Sequence, residues 1–297
     1  MPPLKQVRYT KLLKDFKESM SRLNDDPTPR LILIIMANTH DSLLSKECEH
    51  DAKKIRSIFK NISEHFKFNF SSIEISGNHY HYDKLDKAID SIQVSNENDV
   101  ILFYYSGHGF SYKNDRINKY PQLDMRPHNK QVRHNKINFI KEHTVNLEAI
   151  LNILRFRGCR VNIAIADCCN TTIPFKRSIL SERDMDVSRD ILPAKSKTLT
   201  KEIFTDEDND ISIIVSSSQL GQPAITESGI GSIFTHFFTE ALAAVLTTKP
   251  KGEAYIPWIR VLKKTYAHAL KESKGYDIGG GVPGKQKAVF QVYVGTE

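Results

Sequence analysis

Residues 104–110 read Tyr-Tyr-Ser-Gly-His-Gly-Phe, and residues 167–172 read Asp-Cys-Cys-Asn-Thr-Thr. A histidine held between two glycines and a thiol behind an acidic residue are types that can do nucleophilic chemistry together. A thiol with a pKa of about 8.5 is mostly protonated at neutral pH, so an adjacent imidazole is the usual means of making the thiolate and of later protonating a leaving amine. Gly109 adds a backbone N–H that, with the N–H of the cysteine, can point at a developing oxyanion. Gly107 and Gly109 also let the chain turn and bring backbone close to whatever His108 faces. Taken singly, these features have plain structural readings: a strand-ending turn with a solvated histidine, and buried inert thiols. That structural reading is kept for Cys159 and Cys168, and Cys169 is the candidate nucleophile.

A Cys and a His this far apart in sequence can meet only through tertiary structure. Residues 99–105 and 161–166 are nearly unbroken apolar runs, the pattern of strands buried on both faces. Further strand patterns fall at 31–37, around 73–75, 211–215 and 288–294, alternating with helical periodicity over 46–61, 82–94, 145–156, 231–246 and 257–273. Such alternation implies an α/β sandwich, a mostly parallel six-stranded sheet with helices on both faces. In these sheets a site lies beyond the carboxyl ends of the strands. His108 and Cys169 each follow such an end, so neighbouring strands would present both at one edge.

A chain of 297 residues, 40% apolar, suits one large domain. A helical extension over residues 1–30, patterned on Leu4, Val7, Leu12, Phe16 and Leu23, precedes a body over 31–297. No apolar run reaches the roughly 18 residues of a membrane span, and the first residues lack the apolar core of a secretory signal, so the expectation is a cytoplasmic protein with no membrane partner. Four cysteines, two of them adjacent, indicate no disulfide framework, and Cys48-Glu-His50 alone makes no zinc set, so no metal site is expected. The net charge of +7 is concentrated: between Ser111 and Asn146 eight Lys and Arg stand against three Asp and Glu. Residues 111–144 read as a solvated basic insertion; no recognised nucleic-acid module surrounds it, so a nucleic-acid partner is not expected. Residues 175–210, rich in charge and hydroxyls, read as an exposed linker.

The two motifs together resemble the caspase-like cysteine peptidases, specifically the metacaspase branch of peptidase family C14, whose signatures run roughly YSGHG and D-[SC]-C-H-S-G. The resemblance covers about residues 31–294 and implies the caspase-haemoglobinase-like three-layer sandwich. It makes His108 the general acid/base, Cys169 the nucleophile and Gly109 the backbone oxyanion donor. The stretch Leu43-Leu-Ser-Lys-Glu-Cys-Glu-His-Asp51-Ala resembles the metacaspase segment L-S-G-C-V-N-D-A. On that match Asp51, Ser106 and Asp167 correspond to the residues that line a pocket for a basic P1 side chain, and two carboxylates at one pocket floor call for a cation. The chain departs from the family at Asn170, where His is usual, and at Thr171-Thr172, which replace Ser-Gly. Metacaspases often require calcium; here the insertion is basic and the loop after the nucleophile contains Lys176-Arg177, so no cofactor and no calcium dependence are expected.

The resemblance implies a thiol protease that cleaves proteins after Arg or Lys. The linker offers Lys176, Arg177, Arg183, Arg189, Lys195 and Lys197 to self-cleavage or to an upstream protease. With no recruitment domain in view, an activating protein partner is expected, and a role as an effector in defence or cell death follows by analogy. The alternative is a catalytically silent binding or scaffold protein that kept the fold.

Overall fold

Six strands pair into one sheet in this computed structural model, which describes residues 28–94, 97–112, 118–127, 137–172, 179–181, 210–246, 257–279 and 281–295. The strands are β1 (Arg30–Ala37), β2 (Asn69–Ile75), β3 (Val100–Ser106), β4 (Val161–Asp167), β5 (Ile211–Ser216) and β6 (Val289–Val294). Across the sheet they run β6-β5-β4-β3-β1-β2, and only the β5–β6 pair is antiparallel. The longer helices are α1 (Ser45–Phe66), α2 (Tyr82–Asp90), α3 (Leu147–Arg155), α4 (Ile233–Leu246) and α5 (Pro257–Ser273), and a short one spans Ile137–Glu142. The expected mostly parallel sheet with helices on both faces is the architecture observed.

Side-chain direction alternates along each central strand, and both directions lead into a core. Leu31, Leu33 and Ile35 join Val100, Leu102 and Tyr104 under α1, α4 and α5. Ile32, Ile34 and Met36 join Ile101, Phe103 and Tyr105 under α2 and α3. Two covered faces explain why these strands show no polar alternation. Each fully buried aliphatic side chain contributes about 1.5–3 kcal/mol. Truncating one at the centre, as in Ile34→Ala, costs about 2–5 kcal/mol. Helix α1 presents Cys48, Ala52, Ile55, Phe59 and Ile62 at three- and four-residue spacing to the first core, and Asp51 falls on that same buried stripe. The helix stops where Lys67 turns left-handed and its N–H closes on the Ser63 carbonyl.

Several expectations change. Strand β2 starts at Asn69 rather than near 73, because an edge strand tolerates the polar, partly exposed residues that hid it. Helix α2 ends at Asp90, not 94, and α4 starts at Ile233, because Gly231–Ser232 pair instead as a short strand with Ile225–Glu227. The basic insertion is not uniformly solvated. Tyr120, Leu123 and Met125 are buried in the second core, and Gln122–Asp124 joins Gly109–Ser111, Thr171–Thr172 and Thr144–Asn146 in a small sheet. Arg126 turns inward onto Asp124, with Nε 2.8 Å from Oδ1 and a terminal nitrogen 2.6 Å from Oδ2. Residues 113–117 and 128–136 of the insertion lie outside the described residues, as do residues 1–27 of the extension expected over 1–30 and most of the linker. Within the linker, Ile179–Ser181 forms a strand parallel to Ile225–Glu227. Among the described residues no helix is long and apolar enough to cross a membrane.

Candidate active site

The parallel strands β1, β3, β4 and β5 end at one edge, and the loops that follow them build the site. Register fixes who faces whom. Ser106 pairs with Asp167 at the ends of β3 and β4, and Phe110 pairs with Thr171 beyond the turn. The offset is the same on both sides, and His108 and Cys169 hold matching positions between the two pairs, each midway along its own segment.

Both glycines around His108 are required by close approach. A β-carbon at 107 would stand 2.9 Å from the Tyr105 hydroxyl oxygen and 3.1 Å from that of Tyr80. At 109 it would run into the Cys168 sulfur and come within 2.6 Å of the Cys169 carbonyl oxygen. The His108 carbonyl accepts from the Tyr105 hydroxyl at 2.6 Å and from the Asp124 N–H at 3.0 Å, which pins the turn to the second core. The imidazole is partly exposed, and its Nε2 lies 2.9 Å from Asp41 Oδ2. Burial pushes the Asp41 carboxyl up, but the His108 hydrogen bond and charge, with the Leu43 and Leu44 amides, outweigh it and hold the group down at about 2.

The two adjacent cysteines have opposite environments. Cys168 is buried, and burial, with Cys169 alongside, pushes its thiol well above the usual range, as expected of an inert structural thiol. Cys169 is partly exposed, and its sulfur receives the Ala224 N–H at 3.3 Å. The peptide leading into it is clamped, because the Cys168 carbonyl accepts from the hydroxyls of Ser217 at 3.2 Å and Ser218 at 2.8 Å. Asn170, wholly buried, ties the loop down on the far side: its N–H donates to the Gln222 carbonyl at 2.9 Å, and its Nδ2 to the Lys119 carbonyl at 3.0 Å. The departure from His at this position therefore supplies an anchor between two loops.

Asp51, Ser106 and Asp167 come together beneath this edge, each under 5% exposed. Ser106 Oγ donates to Asp51 Oδ2 at 3.1 Å, and the Ser232 N–H donates to Asp51 Oδ1 at 2.9 Å. Thr235 Oγ1 donates its one proton to Asp167 Oδ2 at 2.6 Å, so the Tyr104 hydroxyl, also 2.6 Å from Thr235, must be a donor. Asp167 Oδ1 has no hydrogen-bond partner among the described residues, nor does either carboxylate make an ion pair there. Burial pushes the Asp51 carboxyl well above the usual carboxylate range and the Asp167 charge adds to it, against the Ser232 amide and Ser106 hydroxyl. Burial raises Asp167 as well, opposed by the hydroxyls of Ser232, Thr235 and Ser217. Two carboxyl groups so placed titrate as a pair. Gly231 lies directly against Asp51, so the hairpin of Ile225–Glu227 and Gly231–Ser232 covers them.

Asp41, Ala224, Ser217, Ser218 and Thr235 are site residues that motif reading misses. Among the described residues, no group of three or more His, Cys, Asp and Glu side chains is placed to hold a metal ion. No curated protein matches the chain. The sequence model of the caspase domain of peptidase family C14 matches residues 29–256, most of the chain and all of the elements that carry the site. This chain belongs to the caspase-domain family C14, a family of cysteine peptidases.

Proposed function

We propose that this protein is a cysteine endopeptidase that cleaves polypeptides after Arg, and less readily after Lys. The observation that supports the reading is the common register of the flanking strands, in which His108 and Cys169 hold matching positions at the sheet edge that lies above a buried pair of carboxylates. The Cys169 thiolate attacks the scissile carbonyl carbon, and the resulting oxyanion takes hydrogen bonds from the N–H groups of Gly109 and Cys169. His108, now imidazolium, gives its proton to the departing amine and leaves a thioester. It then takes a proton from the water that hydrolyses that thioester. At P1, a guanidinium supplies a cation to Asp51 and Asp167, which make no ion pair among the described residues, and offers donors to Asp167 Oδ1, which has no hydrogen-bond partner among them. Ammonium is a poorer match to two carboxylates, and a P1 aspartate would meet like charge in a desolvated site.

Regulation fits the strand at residues 179–181. Ile225–Glu227 begins beside Ala224, which touches the Cys169 sulfur, and an extended substrate gains affinity by adding to such an edge. One edge of this strand is taken by Gly231–Ser232 and the other by Ile179–Ser181 of the linker. Cleavage at the flanking basic residues Lys176, Arg177 or Arg183, by a second copy or an upstream protease, frees that edge; a protein partner that pulls the segment away would do the same. Activity needs no calcium in this scheme and survives EDTA.

The test is the set of cleavage sites that the linker-cut protein makes in a proteome-derived peptide library, compared with Cys169→Ala. Sites ending in Arg and Lys, absent with the variant, support the reading. A preference for Asp, or equal cutting by the variant, refutes it, and no cutting at all would favour a scaffold.

A further inference from the structure

We propose that Asp41 is the positioning carboxylate of a Cys169–His108–Asp41 arrangement, fixing which ring nitrogen of His108 faces the thiol. This rests on the reading of Cys169 and His108 as the reacting pair. Asp41 lies in the loop between β1 and α1, 8% exposed. Its Oδ1 accepts the N–H groups of Leu43 at 2.8 Å and Leu44 at 3.0 Å, and its carbonyl accepts from the Ser45 N–H at 3.2 Å. The loop is thus wound around one carboxylate, which leaves Oδ2 free to meet His108 Nε2 at 2.9 Å.

Chemistry follows from that geometry. A carboxylate that stays ionised can only accept, so Nε2 carries the hydrogen and Nδ1 is the nitrogen left to take the Cys169 proton. When the proton arrives, the imidazolium gains a charge-assisted bond to Asp41, and the thiolate-imidazolium pair becomes cheaper to form. The carboxylate accepts no proton itself; it orients the ring and stabilises its charged form. A merely structural Asp41 would serve the Leu43 and Leu44 amides alone. Asp41→Asn separates the two roles, because its carbonyl oxygen keeps those amide bonds while its NH₂ confronts Nε2 with a donor and forces the other tautomer.

The experiment is the rate of alkylation of Cys169 by iodoacetamide as a function of pH, which needs no substrate; the other three thiols are buried. In the wild type, reaction should rise well below the ordinary thiol value of about 8.5. In D41N the rise should move at least one pH unit alkaline, and kcat should fall about 10–100-fold with KM little changed, a smaller loss than in serine triads because a thiol ionises more readily. D41E should recover part of both. A folded D41N with the wild-type alkylation profile overturns the proposal and leaves the Cys–His pair standing. A wild-type Cys169 that titrates as an ordinary thiol overturns the pair and this proposal together. If D41N fails to fold, ¹⁵N spectra of histidine-labelled wild type decide, with H108Q identifying the signal: Nε2–H in neutral His108 supports the assignment and Nδ1–H overturns it.

Discussion

Gly109 rests directly on the Cys168-Cys169 segment: a β-carbon there would lie 2.6 Å from the Cys169 carbonyl oxygen and 3.0 Å from Cys168 Cβ. The strand carrying the proposed oxyanion donor and the loop carrying the proposed nucleophile are therefore in backbone contact. Gly109→Ala must push them apart. We expect kcat to fall by about 10²–10³-fold, the usual cost of losing an oxyanion donor, with α/β circular dichroism retained. Steady-state kinetics on an arginyl peptide check it, and wild-type turnover in G109A would mean that this contact has no part in catalysis.

The buried carboxylates predict a trade of stability for specificity. Because burial and mutual repulsion raise the folded-state pKa of Asp51 above the ordinary 3.8, the folded chain holds a proton that the unfolded chain releases. Stability is therefore lost as pH climbs from 3.8 through the raised value, and the penalty is complete above it. Asp51→Asn should melt higher than wild type at neutral pH, by about 2–4 °C for each kcal/mol recovered, and the gain should vanish near pH 3.8 and below. The same variant should lose about one to three orders of magnitude in kcat/KM for arginyl substrates without gaining aspartyl cleavage. A lower Tm at neutral pH with unchanged arginyl cleavage would show that Asp51 serves the fold alone.

Proline at both Ile179 and Leu180 removes whichever N–H the linker strand donates to Ile225–Glu227. On the account above, the uncut double variant should hydrolyse an arginyl peptide faster than uncut wild type, and cutting the linker should then add little. Unchanged activity in the uncut variant would show that the strand at 179–181 does not guard the site.

Much of this arrangement is legible in the sequence because buried parallel strands announce themselves. The unbroken apolar runs at β1, β3 and β4 mark the central strands, and the carboxyl-end rule then assigns His108 and Cys169 to one edge. What stays hidden is hidden for physical reasons. Asp41 sits in a polar loop, Asn38-Thr-His-Asp-Ser42, whose side chains look solvated; only the fold turns one of them onto His108. The signal available was its place just past the end of β1. Residues 118–127 were masked by their charge, although Leu123 and Met125 alternate with Gln122, Asp124 and Arg126 at strand period, and both prove buried. Ser217, Ser218 and Ala224 act through a hydroxyl or a backbone N–H, which residue type alone does not advertise.

The central claim, that Cys169 is a nucleophile activated by His108 above an arginine-accepting pair of carboxylates, is tested most directly by intact-mass and peptide mapping after exposure to an arginyl chloromethyl ketone. The reagent needs the thiolate, the imidazole and the carboxylate pair at once. The account predicts one adduct, on Cys169, formed equally in Cys168→Ala, lost in Cys169→Ala, strongly slowed in His108→Ala and outpacing the aspartyl analogue by a wide margin. No adduct on the folded, linker-cut protein, an adduct on Cys168, or equal labelling by the aspartyl reagent would contradict it.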